Sequence, residues 1–318
     1  MKALVTGVAG FIGSNIARRL LADGHDVVGV DALTDYYDPQ IKRSNLRRAD
    51  DPRFRFVEGD LNTLDLASLL ADTEVVFHEA GQPGVRSSWG RDFGRYASDN
   101  ICATQRLLEE ARQSGSLRRF VYASSSSVYG NAERYPTEET DRPQPVSPYG
   151  VTKLAAEHLC SLYAHNYGLP TVSLRYFTVY GPGQRPDMAF TRFCRWVHAG
   201  SPIQLYGTGE QIRDFTYVDD VVEANLRVGD ADTAQVPAGA VYNVAGGSSV
   251  SMNEVLELLG TISGKEVRVE RSAAVPGDVL RTGGTTDAIR RATGWDPKVG
   301  LREGLEEQYR WATTVLAY

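Results

Sequence analysis

Tyr149 and Lys153 stand four positions apart in the run Ser147-Pro148-Tyr149-Gly150-Val151-Thr152-Lys153. Serine followed by proline opens a helix, with serine as its cap and proline in its first turn. On that helix the phenol and the amine share one face, one turn apart. A free phenol titrates near ~10. A nearby ammonium and a cationic ring both stabilise phenolate and lower that value. The pair is then able to take a proton from a hydroxyl. Upstream, the apolar run Phe120-Val121-Tyr122 leads into Ala123-Ser124-Ser125-Ser126-Ser127-Val128-Tyr129-Gly130. A hydroxyl from that strand end can bind or relay at the same oxygen. As a bare pattern, Tyr-x-x-x-Lys is common on helix surfaces. It gains its meaning from the start of the chain.

Lys2 to Thr6 reads as a short buried strand, followed by Gly7, Gly10 and Gly13 spaced G-x-x-G-x-x-G. A helix with Ile16, Ala17, Leu20 and Leu21 on one face stops at Asp23-Gly24. A second strand, Val27 to Val30, ends in Asp31, 18 residues after the third glycine. Such glycines admit a pyrophosphate, and the helix N-terminus offers it free N–H groups and partial positive charge. Asp31 suits both hydroxyls of an adenosine ribose and repels a 2′-phosphate. The expected cofactor is NAD rather than NADP, and hydride transfer to it completes the tyrosine's proton transfer.

The rest of the chain must position these groups. Its 318 residues allow one large domain or two unequal ones. A net charge of -6 gives no electrostatic case for nucleic acid. Cys102, Cys160 and Cys194 lack metal spacing and read as small buried hydrophobes in a reducing compartment. No apolar run is long enough for a bilayer, and the N-terminus reads as strand rather than signal peptide, so the expected location is cytoplasmic with no membrane partner.

After Asp31, residues 34–52 are polar. Tyr36, Tyr37 and Lys42 flank an adenosine or, as the favoured reading, belong to a solvated connection. A strand from Phe54 to Val57 leads to Asp60, which meets the adenine amino group or caps a helix from Leu64 to Leu70. Val75 to His78 is a further strand, and small residues after it let a cofactor approach. His78 reads as a satisfied strand-end histidine. Arg86 faces solvent or an anionic substrate. Asn100 starts a helix from Asp99 to Ala111, as a cap or a cofactor contact. Strands and helices alternate, which argues for an α/β fold around a doubly wound parallel sheet.

With Leu174-Arg175-Tyr176-Phe177-Thr178-Val179-Tyr180-Gly181-Pro182 and Arg213-Asp214-Phe215-Thr216-Tyr217-Val218-Asp219-Asp220, these motifs resemble the extended short-chain dehydrogenase/reductases that act on nucleotide-sugars. The likeness spans essentially the whole chain. It implies a Rossmann-type NAD domain over 1–175, with a return segment near 213–245, and a smaller C-terminal α/β domain, 176–318, mainly for the nucleotide-sugar. It also implies a homodimer through a four-helix bundle from helices near 99–113 and 149–166. The catalytic set it implies is Ser125, Tyr149 as base and Lys153 as its partner. Its cofactor set is Gly7, Gly10, Phe11, Ile12, Gly13, Asp31, Asp60, Leu61, Ala80, Gln82, Asn100, Tyr149, Lys153 and Tyr176. Its substrate set is Val85, Arg86, Ser125, Ser126, Ser127, Tyr149, Thr178, Arg185, Ala189, Arg192, Gln204, Tyr206, Arg213 and Asp278. Within it Arg213 grips the pyrophosphate, as suits a guanidinium. No metal is implied.

Family dehydratases carry an Asp-Glu pair after the catalytic serine or threonine; here Ser126-Ser127 stand there. Decarboxylases carry glutamate before Val-Tyr-Gly; here it is Ser127. Elimination lacks its acid and base, which leaves 4-epimerisation. The run Gly183-Gln184-Arg185-Pro186-Asp187-Met188-Ala189 is similar to UDP-glucuronate 4-epimerases, although a Pro-Trp-Gly run is more usual where Gly183-Gln184 stand. Ser126, Ser127, Thr178 and Arg185 are expected around a sugar carboxylate. The runner-up is a UDP-glucose/UDP-galactose or N-acetylhexosamine 4-epimerase; further down stand UDP-glucuronate decarboxylase and a non-catalytic NAD sensor.

Overall fold

The computed structural model describes residues 1–47, 49, 51–273 and 279–314. Five strands that the sequence marks come first, β1 (Lys2–Thr6), β2 (Asp26–Asp31), β3 (Phe54–Glu58), β4 (Val75–His78) and β5 (Arg119–Ser125), and β6 (Thr171–Tyr176), which it did not mark, follows them. The chain then leaves through β7 (Thr178–Tyr180), β8 (Ile203–Tyr206), β9 (Ile212–Arg213) and β10 (Phe215–Tyr217), and returns as β11 (Ala240–Val244). One seven-stranded parallel sheet results, in the order β11-β6-β5-β4-β1-β2-β3. The order reverses between β1 and β4, which opens a crevice beyond their carboxyl ends.

Alternate side chains of each strand face opposite ways, and both faces are covered. Ala3 and Val5 join Ile16, Leu20 and Val221 in one core, against α1 (Phe11–Ala22) and α8 (Val218–Asp230). Leu4 joins Leu107, Leu108, Ala156 and Cys160 in the other, against α5 (Ala103–Ala111) and α6 (Pro148–Tyr167). The helix α6 starts as expected, with the Ser147 hydroxyl accepting from Gly150 N at 3.1 Å and Pro148 in its first turn.

The remaining strands form small sheets of two: β10 with β7, β12 (Val250–Ser251) with β9, and β13 (Val269–Ser272) with β8. Around them pack α7 (Ala189–Ala199), α9 (Met252–Ser263) and α11 (Leu301–Thr314).

Three local expectations change. The helix expected from Leu64 begins at Leu66, because Asp65 caps it, accepting from Ser68 N at 3.2 Å. Asp60 therefore caps nothing; it turns the chain locally, accepting from Asn62 N at 2.8 Å. The helix expected from Asp99 begins as a wide π turn, Ala97–Cys102, and becomes α-helical only at Ala103. Cys160 and Cys194 are buried, but Cys102 is exposed on that π turn. Among the described residues no helix is long and apolar enough to cross a membrane.

Candidate active site

The glycine turn shapes the first of two cavities. Gly7 has φ +66°, and a Cβ there would lie 2.7 Å from Ala80 N. The β1–α1 turn therefore lies directly on the residues that leave β4. The helix α1 begins at Gly10 with no side-chain cap and no acid in its first turn, so its N–H groups remain available to an anion. Along the cavity wall run Gly7, Gly10, Phe11, Ile12, Gly13, Asp31, Asp60, Leu61, Ala80 and Gln82, all expected at a dinucleotide. Asp31 accepts from Ala9 N at 3.0 Å and Leu33 N at 2.8 Å. Burial raises its pKa, and those bonds and the Lys42 charge oppose the rise.

Tyr36, Tyr37 and Lys42 also line this cavity, against the favoured reading of a solvated connection. Lys42, on α2 (Pro39–Arg47), is buried; its amine donates to the Thr34 hydroxyl at 3.0 Å and lies 4.9 Å from the Tyr37 ring centre. The charge-rich composition of residues 34–52 concealed this inward face.

Beside the cavity, whose wall includes Asp99 and Ala103, the wide π turn buries Asn100. Its Oδ1 accepts from Gln82 N at 2.6 Å, and its Nδ2 donates to Gln82 O at 3.1 Å and to the Thr152 hydroxyl at 2.9 Å. Asn100 is thus no cap: it clamps the loop after β4 onto α6. His78 is a satisfied core histidine, bonded to Thr6 at 2.7 Å and Thr104 at 2.9 Å; burial takes it down to about 3, so it stays neutral.

Lys153 lies beside Asn100. Its amine sits 4.7 Å from the Tyr122 ring centre and 3.8 Å from where a Gly81 Cβ would stand. Among the described residues it makes no hydrogen bond or ion pair. Burial lowers it to about 8, with Glu79 opposing the fall. Burial likewise holds the Tyr149 phenol above its ordinary value. The foremost opposing groups in the protein alone are the Ser125 hydrogen bond and the Arg185 charge, not the Lys153 ammonium invoked above. Ser125 ends β5, level with Tyr176 on β6, and its hydroxyl accepts from Ser127 N at 3.1 Å. Ser126 and Ser127 form the tight turn that follows.

The second cavity is lined by Arg86, Thr178, Ala189, Arg192, Gln204, Tyr206 and Arg213, seven of the expected substrate residues. Arg86 stacks 4.4 Å from the Tyr206 ring centre, and Arg192 4.5 Å from Trp196. Ala189 begins α7, which has no side-chain cap. Asp214 accepts from Gly246 N at 2.8 Å. Gln204 also donates to Glu270 across the β8–β13 pair. The Val85 carbonyl accepts from the Ser88 hydroxyl at 2.7 Å. Asp278 lies outside the described residues.

Arg185, expected at the sugar carboxylate, stands near enough to Tyr149 for its charge to act on the phenol. It lines the first cavity, 5.9 Å from the Tyr36 ring centre. Asp187, two residues on, holds the guanidinium by two bonds of 2.9 and 3.0 Å.

These residues fit a dinucleotide: an uncapped helix start for phosphates and a carboxylate for ribose hydroxyls. The fold and site together define an NAD-using Rossmann enzyme. The chain belongs to the NAD dependent epimerase/dehydratase family, which matches residues 3–245. A Bacillus cereus UDP-glucuronic acid 4-epimerase, solved with UDP-glucuronic acid and NAD, superposes with a TM-score of 0.95 at 40% identity, covering 99% of this chain and 100% of that one. An uncharacterized UDP-glucose epimerase, YtcB of Bacillus subtilis, is 41% identical over 317 residues, 99% of each chain. A UDP-glucuronate 4-epimerase of Thermodesulfobacterium geofontis is 35% identical, covering 97% of this chain and 95% of that one.

Proposed function

We propose that this chain is an isomerase that interconverts UDP-glucuronate and UDP-galacturonate through a transient 4-keto sugar. One observation carries the substrate class: three arginines, Arg86, Arg192 and Arg213, line a single cavity with the neutral donor Thr178. Cations there suit a pyrophosphate, and neutral hydroxyls suit a sugar acid whose negative charge needs orientation more than neutralisation.

In this reading Tyr149 takes the proton of the sugar's 4-hydroxyl, and Ser125 holds that oxygen in place. Bound NAD supplies the acceptor, and later the donor, of the C4 hydride. The 4-keto sugar turns about its pyrophosphate between the two transfers, while Arg213 and its neighbours keep hold of the phosphates. A 4-keto uronate is a β-keto acid and loses carbon dioxide when the breaking bond aligns with the ketone. Ser126, Ser127 and Thr178 are assigned to hold the carboxylate out of that alignment.

The organisation that goes with it is a cofactor part, 1–175 with a return near 213–245, and a sugar-nucleotide part, mainly 176–318. A cytoplasmic homodimer accompanies it. Val151, Leu162 and Tyr167 are 47%, 52% and 58% exposed on α6, an apolar outer face that supports pairing of α5 and α6 with a second copy.

Incubating the purified protein with UDP-glucuronate, without added cofactor, tests the reading; UDP-galacturonate is the expected product. The B. subtilis relative's name favours a second reading, a UDP-glucose 4-epimerase. Preferential turnover of UDP-glucose over UDP-glucuronate would establish it.

A further inference from the structure

Glu79 directly follows β4, lines the dinucleotide cavity and has no part in the mechanism above. Its Oε1 accepts from the Tyr176 hydroxyl at 2.8 Å, the nearer of that hydroxyl's two acceptors. Asn225 on α8 donates from Nδ2 to Val221 O at 2.8 Å and to the Tyr176 oxygen at 2.8 Å. The tyrosine's own proton is thereby left for Glu79. The other carboxylate oxygen has no hydrogen-bond partner among the described residues, and Glu79 is only half-buried because it faces the cavity.

The groups around it come from four elements: Lys153 on α6, Tyr122 on β5, Tyr176 on β6, and His78 on its own strand, which is neutral. Lys153 is the nearby cation, yet it makes no ion pair with Glu79. Burial pushes the carboxyl up to about 7, with Tyr176 and Lys153 opposing. A second cation at this end of the cavity would restore the full charge.

Chemistry says which cation that is. Tyr176, which donates to Glu79, pairs across the sheet with Ser125, and Ser125 hydrogen-bonds the Tyr149 phenol, so hydride exchange beside Tyr149 brings the nicotinamide end of the dinucleotide to this end of the cavity. Its oxidised ring carries one positive charge and its reduced ring none. We propose that Glu79 is the counter-charge of the nicotinamide end, a carboxylate that favours the oxidised ring over the reduced one and keeps the resident cofactor ready to accept hydride. As hydride leaves the sugar and the hydroxyl proton passes to Tyr149, the ring charge falls from +1 to 0. No bond to Glu79 forms or breaks. The inference rests on NAD in this cavity, not on the sugar that is turned over.

The test is the oxidation state of the bound cofactor. Holoenzyme and its Glu79→Gln variant are each equilibrated with a redox dye of known potential, and the ratio of reduced to oxidised dinucleotide is read at the reduced cofactor's absorbance band. Glutamine keeps an acceptor for Tyr176 and removes the charge, so the ratio should rise roughly tenfold at fixed potential. Glu79→Leu should raise it similarly, and Glu79→Asp should bring it back toward wild type. A variant that sheds its cofactor gives the same quantity as the ratio of Kd values for NADH and NAD, which should fall by the same factor. A ratio within twofold of wild type in folded Gln and Leu variants overturns the proposal, whatever the activity on UDP-glucuronate.

Discussion

Arg185 and Asp187 form a two-pronged ion pair, 2.9 and 3.0 Å, in the wall between the two cavities. Arg185 lines the first cavity and Asp187 the second, so in the proposed reading this pair ties the placement of the cofactor to that of the sugar. Arg185→Ala should lower kcat/KM for UDP-glucuronate by roughly 10- to 100-fold through lost positioning. Chromatography of its products should show no carbon dioxide-loss sugar. A UDP-4-keto-pentose from this variant would return Arg185 to the carboxylate; from the Ser127→Ala, Thr178→Ala double variant it is the expected by-product.

Tyr149→Phe removes the proton acceptor and leaves the buried ring. Turnover should fall by roughly 10²- to 10⁴-fold, while the amount of NAD bound per protein stays at the wild-type level. Epimerisation retained at the wild-type rate would show that another group takes the proton.

Lys153 titrates at about 8, well below a free lysine, because it is buried. Its ammonium is therefore present below that value and lost above it. NAD affinity, read by calorimetry, should be strongest below pH 8 and weaken as pH rises through it. In the cofactor-free protein the unfolded lysine keeps its proton up to ~10.5, so the unfolded state binds more protons above pH 8. Stability from this group should consequently rise with pH across that window. Lys153→Met should flatten both profiles.

Asp31 presents both carboxylate oxygens at the end of β2, already steered by Ala9 N and Leu33 N. Asp31→Ser should narrow the preference for NAD over NADP by roughly tenfold or more, since the repelled 2′-phosphate no longer meets a charge. Paired Kd measurements decide it; an unchanged ratio would assign discrimination to Tyr37 and Lys42 instead.

Leu162 is 52% exposed in the middle of α6's outer face. If the proposed homodimer forms through this face, Leu162→Glu should convert it to a monomer in sedimentation, because a charge in an apolar interface is costly; a wild-type chain that sediments as a monomer would overturn the pairing.

Much of this site was legible from residue types. The glycine spacing, Asp31, and the Tyr149–Lys153 pair each answer to a local rule, and local rules are visible in sequence. The π turn was not, because Asn100 looks like an ordinary cap until Gln82 and Thr152 are seen on either side of it. Lys42 was misread for the opposite reason: its neighbours are polar, and only the packing of α2 reveals that it faces inward. Arg185 was read by motif alone, and the motif does not record that Asp187 holds its guanidinium from two residues on. Glu79 carried no signal, since one acid after an apolar strand is unremarkable until Tyr176 and Asn225 close on it from distant segments.

The return of the chain as β11, beside β6, has an architectural consequence. A cut made after β6 would leave that strand as a bare sheet edge, with its hydrogen-bonding groups open to any passing chain. No single break would separate the proposed cofactor part from the proposed sugar part. Swapping one half for another must carry two junctions at once, so changes in substrate preference should come through side chains and loops rather than exchanged modules.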